Sequence, residues 1–180
     1  LSVDQIQEKW DQAKIDGLKR GKSFLKQVEY FIKIGKILDD DYKDVISEFS
    51  KIKFSGQLFS EVGLNHDDYK IAGTADLIEL FNNNECILYD FKSNKSISEK
   101  SKYGNKLLYP LEHLDASEID IYSLQLGIYK FMLEYHGFKV KKIVLYHINP
   151  TTRNIDVYPI ENINKEVKLL LNHFKIMNEW

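Results

Sequence analysis

Three apolar runs, at residues 56–64, 69–81 and 85–92, are separated only by Asn65-His66-Asp67-Asp68 and Asn82-Asn83-Asn84. Runs of this length closed by Asn and Asp read as strands. Connections this short join antiparallel neighbours, because a parallel crossover needs a dozen or more residues. The chain is therefore committed to a three-stranded meander, and its surroundings must cover that sheet. Those surroundings are helical. Residues 3–37 place Ile6, Trp10, Ala13, Leu18, Phe24, Val28, Phe31 and Ile32 at helical spacing, with a break expected at Gly17 or Gly21. Asp39-Asp40-Asp41 supplies a cap for a further short helix ending near Ile52. Beyond the meander come a polar stretch over 93–117, a helix over 118–136, strands over 142–149 and 154–160, and a closing helix over 161–178. That order predicts an α/β (α+β) fold: a central mixed sheet of about five strands flanked by helices.

Composition narrows the function more than the fold. A length of 180 residues suits one domain, 1–180, read as an N-terminal helical region (1–52), a core (53–160) and a C-terminal helix (161–180). Hydrophobic residues make up 43% of the chain, enough for a sizeable core, and glycine and proline are too scarce for a linker-rich protein. The formal net charge of −2 offers no global field for nucleic acid, so such binding has to come from a local patch. Cys86 stands alone, which excludes a disulfide framework, a four-Cys zinc site and a four-Cys iron–sulfur cluster, and suits a reducing compartment. No apolar run is long enough to span a membrane, and no signal-peptide pattern is present. A chain starting at Leu1 reads as processed or trimmed.

The third run, Ile87-Leu88-Tyr89-Asp90-Phe91-Lys92, carries a carboxylate and an ammonium inside apolar sequence. Extended, it points Ile87, Tyr89 and Phe91 one way and Leu88, Asp90 and Lys92 the other. Asp76 and Asp90 are each seven residues from Asn83. A symmetric turn sets them directly opposite, with Cβ atoms roughly 5 Å apart. Opposed carboxylates on adjacent strands are destabilising unless positive charge lies between them. A divalent cation meets that need, and oxygen donors without a Cys or His cluster point to Mg²⁺ or Mn²⁺ rather than Zn²⁺. Glu61 is a further acid in an apolar strand; counting through its turn pairs it near Ala72, some way from Asp76. Gly73 leaves room for a close approach by helix, backbone or ligand. On the later helix Gln125 and Tyr129 stand at i and i+4 among apolar neighbours, where a buried amide and hydroxyl need partners.

Taken in order, Glu61, Gly73-Thr74-Ala75-Asp76, Asp90-Phe91-Lys92 and Gln125-Leu126-Gly127-Ile128-Tyr129 resemble the PD-(D/E)XK nuclease superfamily, in its RecB-type and phage exonuclease-like branch. The resemblance implies a restriction-endonuclease-like core and a metal-dependent phosphodiesterase acting on DNA. It further implies an exonuclease of recombination, repair or phage DNA processing, in the cytoplasm of a bacterial or phage-infected cell. One or two Mg²⁺ or Mn²⁺ ions would lie on Asp76, Asp90, the Phe91 carbonyl and Glu61, with Lys92 beside the attacking water. Gln125 and Tyr129 would hold the active-site side chains or contact the nucleic-acid backbone. Many such nucleases also carry a metal-binding His in a Gly-x-x-x-His-x-x-x-Glu pattern. Here Gly21 and Glu29 match, but Leu25 replaces the His and cannot ligate, leaving Glu29 one turn along as the substitute. That departure keeps a second reading open: a nuclease-fold module that binds nucleic acid or a partner protein without cutting.

Each feature also has a plainer reading. Asp90 and Lys92 would serve equally as an exposed charge pair, and Gln125 and Tyr129 as core polar residues satisfying each other. Lys95, Lys100 and Lys102 form either a solvated loop or, with Tyr129, a local phosphate-binding patch. Tyr103, Tyr109 and Phe59 read as core packing before base stacking. His66, His113, His136 and His147 show no ligand spacing.

Overall fold

The computed structural model describes residues 3–149, 151–161 and 163–178. Its elements run α1 (Val3–Ile34), α2 (Lys43–Ser50), β1 (Gln57–His66), β2 (Ile71–Leu80), β3 (Glu85–Lys92), α3 (Glu118–Tyr135), β4 (Lys139–Ile148), β5 (Ile155–Pro159) and α4 (Asn164–Met177). The five strands form one mixed sheet in the order β1-β2-β3-β4-β5, flanked by helices, an α+β fold. No described helix is long and apolar enough to cross a membrane.

One helical expectation needs correction. α1 runs unbroken through Gly17 and Gly21. A glycine inside a helix costs about 1 kcal/mol relative to alanine but does not by itself stop it. The helix ends instead at Gly35, whose φ of +70° is the left-handed turn that glycine allows, with its N–H donating to the Phe31 carbonyl at 2.7 Å. The side chains of Ile6, Trp10, Ala13, Leu18 and Leu25 lie outside the described residues. The aspartate cap is present: the Asp39 carboxylate accepts from the Asp41 N–H at 3.0 Å, and a single 3₁₀ turn leads into α2.

A second correction concerns the β1–β2 turn. β1 continues to His66, which pairs with Ile71, and the turn is a 3₁₀ segment over Asp67–Tyr69 closed by Lys70 at φ +51°. Asn65, not Glu61, is the partner of Ala72. The hairpin is centred later than the polar residues suggested, which slides β1 along β2. Glu61 falls between the pairs Ser60↔Leu77 and Val62↔Ala75, level with Asp76.

The same level carries a change of face. On β2, the apolar cluster packed on α3 takes Ile71 and Ala75, then Ile78 and Leu80. On β1, Phe59, Val62, Gly63, Leu64 and Asn65 line a hollow with Ile78 and Leu80. β2 therefore steps by three residues where alternation demands two, whereas burial alternates regularly along β1. Glu61, at φ +52°, supplies the backbone kink.

The chain groups into two compact units, Leu1–Lys53 with Phe91–Lys95 and Tyr146–Asp156, and Phe54–Asp90 with Ser96–Leu145 and Val157–Trp180. In the first, Phe91 meets Phe24 and Phe49 edge-on at 5.7 and 5.8 Å and stacks on Tyr146 at 5.6 Å. In the second, α3 lays Leu126, Met132 and Leu133 on Ala75, Ile78, Cys86 and Leu88, and α4 adds Val167 and Leu171 beside Leu124. Burying each such aliphatic side chain stabilises by about 1.5–3 kcal/mol. Cys86 acts here as a small core residue: burial, with the Glu134 carboxylate adding, pushes its thiol up to about 11.

Glu79 is the one acid the fold encloses for its own sake. It is buried on β2, accepts from the Ser55 and Gly56 N–H groups at 2.5 and 2.7 Å, and accepts from the Tyr89 hydroxyl at 2.6 Å. Burial alone would raise its pKa; these three bonds outweigh burial and hold it below the ordinary carboxylate value. A folded pKa below the unfolded one contributes stability that is present at neutral pH and lost as pH falls through the folded value. Replacing Glu79→Gln is expected to lower stability by about 1–3 kcal/mol at pH 7 in urea denaturation and to flatten the acid side of the stability profile. An unchanged midpoint would mean that the Ser55–Gly56 approach is held by other contacts.

Candidate functional site

β2 and β3 pair as Leu77↔Tyr89, Ile78↔Leu88, Glu79↔Ile87 and Leu80↔Cys86. One further step of that register sets Asp76 level with Asp90. The turn that fixes it is Asn82-Asn83-Asn84, where Asn83 and Asn84 adopt φ +61° and +58°, a conformation that Asn tolerates better than most residues. Continued by one step, the two registers would bring Glu61, Asp76 and Asp90 to one level on three adjacent strands. Their surroundings differ. Glu61 is exposed, Asp76 half-buried and Asp90 only 2% exposed. Among the described residues, no group of three or more His, Cys, Asp or Glu side chains gathers closely enough to hold a metal ion. The carboxylates to consider are thus the Asp76–Asp90 pair, with Glu61 outside it.

Alternation along β3 puts Asp90 on the face of Cys86 and Leu88, which is the face covered by α3. Lys92 lies two residues on, at the end of the strand and half-buried. Phe91 turns the other way into its aromatic cluster.

α3 presents a polar stripe to this face. Glu118, Tyr122, Gln125 and Tyr129 fall at i, i+4, i+7 and i+11, and all four are half-buried. The Gln125 amide donates to the Tyr129 hydroxyl at 3.0 Å, so the two polar groups the sequence singled out do satisfy each other. Tyr129 lies close over Gly73: a Cβ there would come within 2.7 Å of the ring. Burial raises the Tyr122 pKa, and the Glu118 and Asp90 carboxylates raise it further. Tyr122 and Glu118 were not singled out from the sequence, although the signal was available: they continue the Gln125–Tyr129 face by two turns toward the helix N-terminus. Glu118 is anchored by the Ser98 N–H at 2.8 Å.

Lys95, Lys100 and Lys102 are exposed on the long connection before α3. Lys102 rests its ammonium 5.3 Å from the Tyr103 ring. Part of that connection is tied down by Ser101 N–H to Asp115 at 2.9 Å, Ala116 N–H to the Asn105 carbonyl at 2.9 Å and Leu107 N–H to the Leu114 carbonyl at 3.2 Å. Tyr103 and Tyr109 are 76% and 69% exposed, against the core packing expected of them. Glu29 pairs with Lys33 one turn along α1. His66 is stacked between Phe131 and Tyr135, and His147 bonds to the Asn94 carbonyl at 2.9 Å.

No family model matches the chain, and no curated protein matches it. Among solved structures, SSO0001 aligns at 22% identity over 86% of this chain and 71% of its own, with a TM-score of 0.40. A candidate exonuclease from Eubacterium rectale aligns at 14% identity over 93% of this chain, with a TM-score of 0.48. This chain spans 66% of that protein's length.

The Gly73–Tyr129 contact is directly testable. Gly73→Ala is expected to cost about 1–3 kcal/mol by overpacking. Most of that cost should vanish in a Tyr129→Leu background, because the ring it strikes is gone. Additive losses in the four-way cycle, read from denaturation midpoints, would show that the two residues do not meet.

Proposed function

We propose that this chain is a Mg²⁺- or Mn²⁺-dependent nuclease of the PD-(D/E)XK kind, hydrolysing phosphodiester bonds in DNA from strand ends. The observation that supports the reading is the β2–β3 register, paired as far as Leu77↔Tyr89, the residues next to Asp76 and the buried Asp90. Lys92 follows on the same strand face. A buried carboxylate with a second carboxylate nearby suits a bound cation.

The donor chemistry fits a hard divalent ion. Mg²⁺ is commonly held by one or two carboxylates, with waters and substrate phosphate completing its shell. Asp76 and Asp90, with the Phe91 carbonyl, would hold it, so a third side chain from Glu61 is not required. When bound, such an ion lowers the pKa of a water and offsets charge on the scissile phosphate. Lys92 orients that water by donating a hydrogen bond and stabilises negative charge as it develops. Tyr129 and Gln125 set the position of one another, and the Asp90 carboxylate is near enough to Tyr122 to raise its pKa. Lys95, Lys100 and Lys102 draw in the phosphate backbone.

The test is cleavage of end-labelled linear and covalently closed circular DNA with Mn²⁺, Mg²⁺ or EDTA. Linear DNA is expected to disappear only with metal, and circles to persist. Asp90→Ala should abolish cleavage, and Lys92→Ala should lower it by about 10²–10³-fold, with folding intact. Undiminished cleavage by both variants in a clean preparation would sink the reading. Leu25 in place of the metal-binding His, together with the absence of a third gathered ligand among the described residues, favours one alternative: a non-cutting module. That alternative predicts nucleic-acid binding in EDTA and no cleavage in Mn²⁺.

A further inference from the structure

Ser93, the residue after Lys92, lines a cavity of about 240 Å³ formed within the first compact unit. Its floor is apolar, from Phe24, Val45 and Ile148. All three are buried, so the floor is part of the core. Its rim is polar and bears both signs, from Asp41, Tyr42, Asn149 and Arg153.

Arg153 is held there against its own preference. The chain meets nearly all its needs for positive charge with lysine; arginine occurs only at positions 20 and 153. At Arg153 φ is +64°, a left-handed conformation unfavourable for a long side chain. The turn imposes it. The Asn149 side-chain oxygen accepts from the Thr151 and Thr152 N–H groups at 2.9 and 3.0 Å, and the Asn149 carbonyl accepts from the Arg153 N–H at 2.9 Å. The guanidinium lies over the Tyr42 ring at 5.8 Å and donates one N–H to the Asp41 carbonyl oxygen. Among the described residues no carboxylate pairs with it. A strained backbone that positions an arginine without a carboxylate partner, at the mouth of a hollow, is better explained by a ligand than by stability.

The hollow is smaller than sites for drug-sized ligands, and its size suits one ring system. An apolar floor and a rim with a carboxylate make it a poor receptor for bare phosphate. They suit a planar heterocycle whose edge carries both acceptors and donors. Guanine offers O6 and N7 to a guanidinium and an exocyclic amine to a carboxylate. We propose that this cavity receives one unstacked nucleobase of the bound strand, with guanine the best fit, at a site next in sequence to Lys92. The proposal rests on the nucleic-acid substrate inferred above. It would add a sequence preference, and it requires the strand to be single at that point.

The experiment is equilibrium binding in EDTA, by fluorescence anisotropy, so no cleavage is needed. Single-stranded oligo-dT carrying one guanine walked along its length is compared with all-thymine and with an abasic residue at the same positions. One position should show about tenfold tighter binding for guanine, in the range one good bidentate base contact supplies. Arg153→Ala, an exposed substitution, and Ser93→Phe, which fills the hollow, should each remove that step while leaving all-thymine binding within about twofold. Equal weakening of every oligonucleotide by Arg153→Ala would show a phosphate contact and overturn the proposal, as would the absence of any guanine step in the wild type. A protein that cuts DNA but shows no step loses this inference alone; one that shows the step but never cuts loses only the nuclease reading.

Discussion

Backbone pairing among β1, β2 and β3 decides which charged side chains meet. Sheet registers are unforgiving, because a slip of one residue moves every side chain to the other face. Here two turns of unlike construction set the two registers. Asn82-Asn83-Asn84 closes the β2–β3 hairpin with left-handed asparagines, and Lys70 closes β1–β2 with a left-handed lysine. Continued by one step, they would bring Glu61, Asp76 and Asp90 to one level. The three-residue step from Ala75 to Ile78 then changes which face β2 gives to α3. Carboxylates at a kinked level of a sheet are unfavourable as packing, and a bound cation would suit them.

β3 holds the two demands apart. Tyr89 and Phe91 go into aromatic packing and the Glu79 bond on one face, while Asp90 shares the other with Cys86 and Leu88. The acid that serves the fold, Glu79, is saturated by three donors. The acid proposed to serve function, Asp90, is near enough to Tyr122 of the α3 stripe to raise its pKa.

Much of this was legible in the sequence. The meander, the helix after the long connection and the closing strands follow from apolar runs and turn residues, and the β2–β3 register follows from one Asn triplet midway between two aspartates. What was not legible has physical causes. Turn residues mark where a chain reverses but not where its pairing is centred, so Glu61 was set against Ala72 rather than beside Asp76. Helix continuity through Gly17 and Gly21 depends on a summed propensity that outweighs two glycines. Tyr122 and Glu118 escaped because the helix face was read from two residues only. Arg153 escaped because a single arginine in a turn has no periodicity to betray it.

The central claim is that Asp76 and Asp90 converge on one divalent cation. The most direct measurement is the melting temperature against Mn²⁺ concentration for the wild type, Asp76→Asn and Asp90→Asn, without nucleic acid. A ligand bound only by the folded state raises stability by about 2.7 kcal/mol at a hundredfold excess over its Kd. The account predicts a saturable rise in the wild type and none in either variant. No rise in the wild type, or an equal rise in all three proteins, would contradict it.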